Sequence, residues 1–173
     1  MERTERLVIV RPALEHFDAL AERGRDGLAA LIGAEVPQEW PLFPESIARP
    51  EQVPEDTSPW RPYWAVHAAD SVLILEGGLV PPDESGEAVF GYGLVPAYRG
   101  KGLATEFARF LVVTAFAHPE ARAVGARTFP AGAVSPEEGF PADPSIAVLE
   151  RLGFACVERG ELWHWRLDRP PEV

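Results

Sequence analysis

The chain is poor in sulfur and in positive charge. Its 173 residues hold one cysteine, Cys156, and one methionine. A single cysteine excludes an internal disulfide framework and any cysteine-based zinc cluster. Basic residues number 16 against 27 acidic ones, giving a formal net charge of 16 − 27 = −11 and a pI of about 4.8. That balance opposes general binding to a nucleic-acid backbone. Long apolar runs are also missing. Stretches such as Val72–Leu75 are far too short to span a bilayer, so no membrane partner is expected. The start, Met1-Glu2-Arg3-Thr4-Glu5-Arg6, carries both signs of charge and no secretory h-region, which predicts a cytoplasmic protein. His16, His67, His118 and His164 stand far apart without metal-ligand spacing, so no metal is expected. The length predicts one domain over residues 1–173, large enough to bury a core without staples.

Proline, by contrast, is abundant at 18 residues, and it is clustered. Pro37, Pro41, Pro44, Pro50, Pro54, Pro59 and Pro62 share one region with Trp40, Phe43 and Trp60. Proline removes backbone donors, so this region is neither a long helix nor a central strand. Its aromatics argue for an ordered loop folded over the body of the domain. A second irregular stretch runs from Pro130 to Pro141.

Between these stretches the pattern alternates. Leu7–Val10 reads as a strand, and Leu14 to Leu31 as one or two helices. Tyr63–Ala68 and Val72–Leu75 read as a hairpin around Ala69-Asp70, and Glu87–Val95 as a further strand. An amphipathic helix follows from Leu103 to His118, then a strand over Ala123–Thr128. Asp143-Pro144 predicts a helix start with Asp143 as N-cap, and Gly153 a stop. Phe154–Val157 and Leu162–Leu167 close the chain as strands. The expectation is an α+β or mixed α/β domain around one sheet.

The segment Gly91-Tyr92-Gly93-Leu94-Val95-Pro96-Ala97-Tyr98-Arg99-Gly100-Lys101-Gly102-Leu103-Ala104-Thr105 is the most informative. A strand feeds a glycine-rich turn that opens directly into a helix. The first N–H groups of a helix lack internal partners and, with the dipole, form an anion site. Gly100 and Gly102 allow close approach, and Arg99 and Lys101 add positive charge. The physics asks for a phosphate or pyrophosphate. A nucleotide P-loop fails, because Gly102 follows Gly100-Lys101 where a hydroxyl is required. A dinucleotide fingerprint fails at Pro96. A plain tight turn with a helix cap remains the simpler alternative.

The pattern that fits is [Q/R]-x-x-G-x-[G/A], met by Arg99, Gly102 and Ala104. It resembles the acetyl-CoA signature of the GCN5-related N-acetyltransferases (GNAT). Ser145-Ile146-Ala147-Val148-Leu149-Glu150-Arg151-Leu152-Gly153-Phe154 is similar to a block of the branch that acetylates protein N-terminal amines, including ribosomal-protein alanine. Trp40-Pro41 and a Gly77-Gly78-Leu79 turn also resemble that branch. The resemblance runs from Leu7 to Leu167. It implies a central splayed, mostly antiparallel sheet flanked by helices. Backbone groups around Leu94 and Val95 would pair with the pantetheine arm of acetyl-CoA. N–H groups of Arg99, Gly100, Lys101, Gly102, Leu103, Ala104 and Thr105 would hold the pyrophosphate. Ser145 would lie near the thiol, and an amine acceptor would enter from the opposite side, beneath the first 60 residues.

Three positions depart from that family's pattern. Val89 stands where many members have a glutamate base, and Leu149 where many have a tyrosine acid. Ala142 replaces an asparagine common in the N-terminal-amine branch. Glu87 would face the same side of its strand as Val89, and is the candidate substitute base; a strand-edge charge is the bland alternative. Ser145 is the second candidate catalytic residue, or a polar residue of an early helical turn. Trp40 and Phe43 either line an acceptor pocket or bury the proline-rich loop. The expected function is transfer of acetyl from acetyl-CoA to a primary amine by direct attack, the acceptor being a protein or peptide N-terminus. A polyamine or aminoglycoside-like acceptor, or a non-catalytic acyl-CoA-binding module, are the alternatives. Monomer and homodimer both remain open.

Overall fold

The computed structural model describes residues 2–47, 50–52, 57–137 and 139–171, with Ser46 described by its backbone alone. Pro54 of the first proline cluster and Glu138 of the later stretch lie outside the described residues. Eight strands form one sheet: β1 (Glu2–Arg3), β2 (Leu7–Val10), β3 (Pro62–His67), β4 (Val72–Val80), β5 (Glu87–Leu94), β6 (Ala123–Thr128), β7 (Ala155–Arg159) and β8 (Trp163–Asp168). Their order is β1-β2-β3-β4-β5-β6-β8-β7. Three helices flank it: α1 (Leu14–Ile32), α2 (Leu103–Phe116) and α3 (Asp143–Arg151). This is the mixed α/β, mostly antiparallel architecture the sequence predicted. No helix among the described residues is long and apolar enough to cross a membrane.

Strand parity decides what each face carries. In register, Trp64 of β3 pairs with Glu76 of β4, which pairs with Gly93 of β5. These three share one face. The neighbouring row, Tyr63, Gly77 and Tyr92, points to the other. Phe17 of α1 and Trp40 both meet the Trp64 ring edge-on, at 5.4 and 5.2 Å, so α1 and the proline-rich loop cover the Glu76 face. On the opposite face Phe110 of α2 meets Tyr63 at 5.3 Å. Covered on both faces, Leu73, Ile74 and Leu75 are fully buried.

Several local expectations need correction. The two segments read as one or two helices are one helical run with a kink at Gly24, whose φ of 66° only glycine adopts freely. Gly77 and Gly78 do not form a turn but continue β4. Their missing Cβ atoms are required by packing: one at Gly77 would lie 2.5 Å from the Gly91 carbonyl and 2.9 Å from Phe107. The N-cap of α3 is Ala142, not Asp143; Asp143 Oδ1 instead accepts the Gly132 N–H at 2.7 Å. Strand β1 escaped detection because Glu2-Arg3 is too short and too charged to show a pattern.

The topological event that matters is between β5 and β6. They are the one parallel pair in the sheet, and they pair only over Glu87–Val89 and Ala123–Gly125. Beyond Gly125 the partner of β6 is β8 alone, while β5 stays on β4 up to Leu94. The two strands therefore part in the middle of the sheet, as the resemblance implied.

Glu87 sits at the closed end of this gap. It is 5% exposed, and its carboxylate meets His164 Nε2 at 2.6 Å and Arg166 Nη1 at 2.8 Å. Gly125 leaves the room for it, since a Cβ there would fall 2.1 Å from Glu87 Oε1. Hydrogen bonds to charged groups contribute more than neutral ones. Glu87→Gln is expected to lower unfolding stability by about 2 kcal/mol, read as a reduced urea midpoint at unchanged slope. An unaltered midpoint would show the clamp to be idle.

Candidate active site

Where β5 and β6 part, a cleft of about 760 Å³ passes through the sheet. From β5 it is lined by Phe90, Gly91 and Tyr92, and from β6 and its extension by Ala126, Arg127, Thr128 and Phe129. Glu76, Phe43, Glu45 and Trp60 lie on the α1 side; Ser145 and Leu149 of α3 lie on the other. The stretch from Pro130 to Pro141 forms an outer wall through Ser135 and Phe140. Phe140 meets Phe43 edge-on at 6.0 Å and lies beneath the Arg99 guanidinium at 5.1 Å.

The edge of β5 that faces this gap can be identified. Val95 N–H donates to the Ile74 carbonyl of β4, at 3.0 Å. Backbone groups alternate direction along a strand. Odd-numbered residues of β5 therefore bond β4, and Tyr92 and Leu94 turn their N–H and C=O groups toward the gap. The expectation that Val95 offers backbone to a ligand is corrected accordingly. Its carbonyl is also engaged, by Tyr98 N–H at 3.1 Å. The Leu94 carbonyl already accepts Arg99 Nε at 3.1 Å, which ties the loop to the strand.

At the end of β5 the glycine loop opens into α2. Gly100 and Gly102 have φ of 73° and 76°, and nothing lies within 4 Å of where a Cβ of Gly100 would be. Gly102 caps α2 without any side-chain hydrogen bond, so Leu103, Ala104 and Thr105 present the unpaired N–H groups of a helix start. The Thr105 hydroxyl is buried and has no partner among the described residues. Arg99 and Lys101 are exposed, and Lys101 lies over the Tyr98 ring at 5.0 Å.

A third cation was not visible in the motif. Arg6 Nη1 donates to the Lys101 carbonyl at 2.8 Å, and its guanidinium is the nearest group to Gly102. It also neutralises Glu106, an acid in the first turn of α2, at 2.8 Å. Burial alone would raise the Glu106 pKa; hydrogen bonds from Thr4 and Arg6 outweigh that and hold it low. Only the register β2–β3 and the fold of the chain start bring Arg6 here, and no local signal encodes that.

The acidic residue in the cleft is Glu76. It is 1% exposed. Its Oε1 accepts the N–H groups of Leu42 and Phe43 at 2.8 and 3.2 Å, while Oε2 is buried without a partner among the described residues. Burial pushes its pKa up to about 7, against those backbone bonds, with Glu45 adding like charge. The pairing with Gly93 leaves the carboxylate room, since a Cβ there would fall 2.7 Å from Oε1.

Glu87, the candidate base, shares this face but does not line the cleft; His164 and Arg166 occupy its two oxygens. Trp40 also stands apart. It is fully buried against Trp64, and Phe43 alone of the pair reaches the cleft. Glu76 was legible only as a lone carboxylate ending an apolar run and preceding two glycines. Ser145 lies half-buried on the cleft, hydrogen-bonded to the Tyr92 phenol. Burial pushes that phenol up to about 12, so it remains protonated at neutral pH. No group of three or more metal-ligating side chains occurs among the described residues.

Comparisons with known proteins place these features. A family profile described as "Acetyltransferase (GNAT) domain" matches residues 6–136. A ribosomal-protein-S5-alanine acetyltransferase from Vibrio fischeri superposes with a TM-score of 0.63 at 13% identity, covering 96% of this chain and 95% of that one. A GNAT-family acetyltransferase from Bacillus anthracis gives 0.57 at 16% identity, with 96% of each chain covered. A chimeric spermidine N-acetyltransferase from Vibrio cholerae SpeG and hSSAT gives 0.54 at 13%, covering 95% and 96%. At these identities the likeness is one of fold. A comparison with curated protein sequences finds no match.

The Glu76 pKa fixes a sign for stability. Between 4.5 and about 7 the folded state holds a proton that the unfolded chain has lost. This group therefore makes stability fall as pH rises through that window. Glu76→Gln removes the effect while keeping an oxygen for Leu42 and Phe43. The variant should gain on the wild type by roughly 3 kcal/mol between pH 4.5 and pH 8, measured by urea unfolding at both. A constant difference would mean that Glu76 titrates as if exposed.

Proposed function

The chain belongs to the GNAT acetyltransferase family and is an acetyl-CoA-dependent acetyltransferase; from that premise we propose that its acceptor is a primary amine, the N-terminus of a protein or peptide. The observation that carries this is the buried Glu76 carboxylate, facing the gap between β5 and β6 with one oxygen unpaired.

The residues present fit acetyl-CoA. The open Gly100, the uncapped start of α2, the unpaired Thr105 hydroxyl and the cations Arg6, Arg99 and Lys101 suit a pyrophosphate. The free backbone edge at Tyr92 and Leu94 suits the amides of a pantetheine arm. Acetyl-CoA supplies an activated acyl group, so the protein has mainly to position the amine and take its proton.

Glu76 is suited to the second task. A carboxylate with a pKa near 7 is half ionised at neutral pH and basic enough to take a proton from an ammonium or an attacking amine. The hydrogen bonds from Leu42 and Phe43 fix one oxygen and leave the other toward the cleft. Glu45 adds negative potential that favours a cation.

The lining favours an amine carried on an apolar body. Phe43, Trp60, Val80 and Pro81 dominate the acceptor side, and the acids Glu45 and Glu76 face the cations Arg61 and Arg127. A polyamine would need acids along its whole length. The similarity of the α3 sequence to the N-terminal-amine branch supports the same choice, as does the ribosomal-protein-S5-alanine enzyme among the structural neighbours.

Two measurements test this reading. Glu76→Gln should lower kcat for peptide acetylation about 100-fold or more with unchanged CoA affinity. The wild-type rate should rise with pH through about 7, and the variant should lose that limb. An unaltered rate would remove Glu76 from the chemistry. Arg99→Glu with Lys101→Glu should weaken CoA binding at least tenfold by calorimetry, and unchanged affinity would displace the site from the loop.

A further inference from the structure

Glu76 and Tyr92 occupy adjacent rows of the sheet at the same gap. Glu76 pairs with Gly93, and Tyr92 pairs with Gly77, one residue along each strand. Successive side chains point to opposite faces about 3.3 Å apart. The carboxylate thus stands on the α1 side and the phenol on the α3 side of the same opening. A thioester threaded through the gap has its attacked face toward Glu76 and its sulfur toward Tyr92.

The α3 side is otherwise apolar. Leu149, one helical turn beyond Ser145 on the same face, is 2% exposed and lines the cleft, as does Phe90. A thiolate released against Leu149 and Phe90 alone would be a buried anion without a partner. The Ser145 side chain hydrogen-bonds the Tyr92 phenol. With the serine donating, the phenolic proton is free to point into the cleft.

We propose that the Tyr92 hydroxyl, oriented by Ser145, donates the hydrogen bond that stabilises the departing CoA thiolate. This rests on the acetyl-CoA reading of the cleft. The amine nitrogen forms the new bond to the acetyl carbon and the C–S bond breaks. The electron pair of the broken bond stays on sulfur, and the proton lost by nitrogen goes to Glu76. The phenolic proton remains on Tyr92, because its pKa of about 12 lies well above the thiol range near 8.5. CoA leaves as the thiolate and is protonated by water. Tyr92 is then a catalytic residue, and Ser145 a positioning residue.

The test compares CoA with desulfo-CoA, which lacks the sulfur, by calorimetry at pH 9.5, where the thiol is ionised. The wild type should bind CoA about tenfold or more tightly than desulfo-CoA, and Tyr92→Phe should bind the two alike. The same variant should lower kcat about 10- to 100-fold at unchanged affinity for desulfo-CoA. Ser145→Ala should give a smaller loss, and adding it to Tyr92→Phe should cost nothing further. A Tyr92→Phe protein that keeps the wild-type preference for the sulfur overturns the proposal while leaving the acetyl-CoA reading intact. A wild type that binds neither ligand overturns both.

Discussion

The structure turns on one interrupted ladder. Strands β5 and β6 begin as a hydrogen-bonded parallel pair at Glu87–Val89 and then separate. Separation leaves backbone groups unpaired in the middle of a sheet, which is costly unless something replaces the lost partner. The fold limits that cost at one end with the ionic clamp of Glu87, His164 and Arg166. At the other end Arg99 reaches back to the Leu94 carbonyl. Between them the edge at Tyr92 stays open to the cleft. The cleft, the anion loop and the position of Glu76 all follow from where the strands part.

The electrostatics of the molecule are local rather than global. A net charge of −11 argues against a polyanionic partner. It does not prevent a phosphate site, because Arg6, Arg99 and Lys101 gather at the start of α2, and Glu106 there is neutralised by Arg6. The acid in the cleft obeys the opposite logic. Glu76 is kept far from cations by parity and by burial, so its carboxylate is destabilised and becomes a base near neutral pH. Glu87, one strand away on the same face, has two cationic partners and a structural role. Two buried glutamates in one sheet thus differ in chemistry because of what the neighbouring strand carries.

Much of this was legible in the sequence. The glycine loop, the strand before it and the helix after it carry strong local signals in Gly100, Gly102 and the apolar spacing of α2. The splayed sheet and the acetyl-CoA chemistry came through resemblance. Parity was the hidden variable elsewhere. Reading Gly77-Gly78 as a turn ended β4 too early and left Glu76 as a strand-end charge, when continued pairing places it opposite Gly93. Trp40 looked like a pocket aromatic, but the Trp64 ring that buries it comes from β3. Arg6 needed the tertiary fold, since it lies far from the loop it supports. The Pro130–Pro141 stretch was visible as irregular; that Phe140 would pack on Phe43 and Arg99 was not.

Hydrogen–deuterium exchange with and without CoA tests most directly whether the parted strands form the binding site. The account predicts slowed exchange at the amides of Tyr92 and Leu94 and at Leu103, Ala104 and Thr105. Val95, already bonded to Ile74, and the β7 strand Ala155–Arg159 should be unchanged. Protection that spares Tyr92 and Leu94, or that falls on β7 instead, would contradict it.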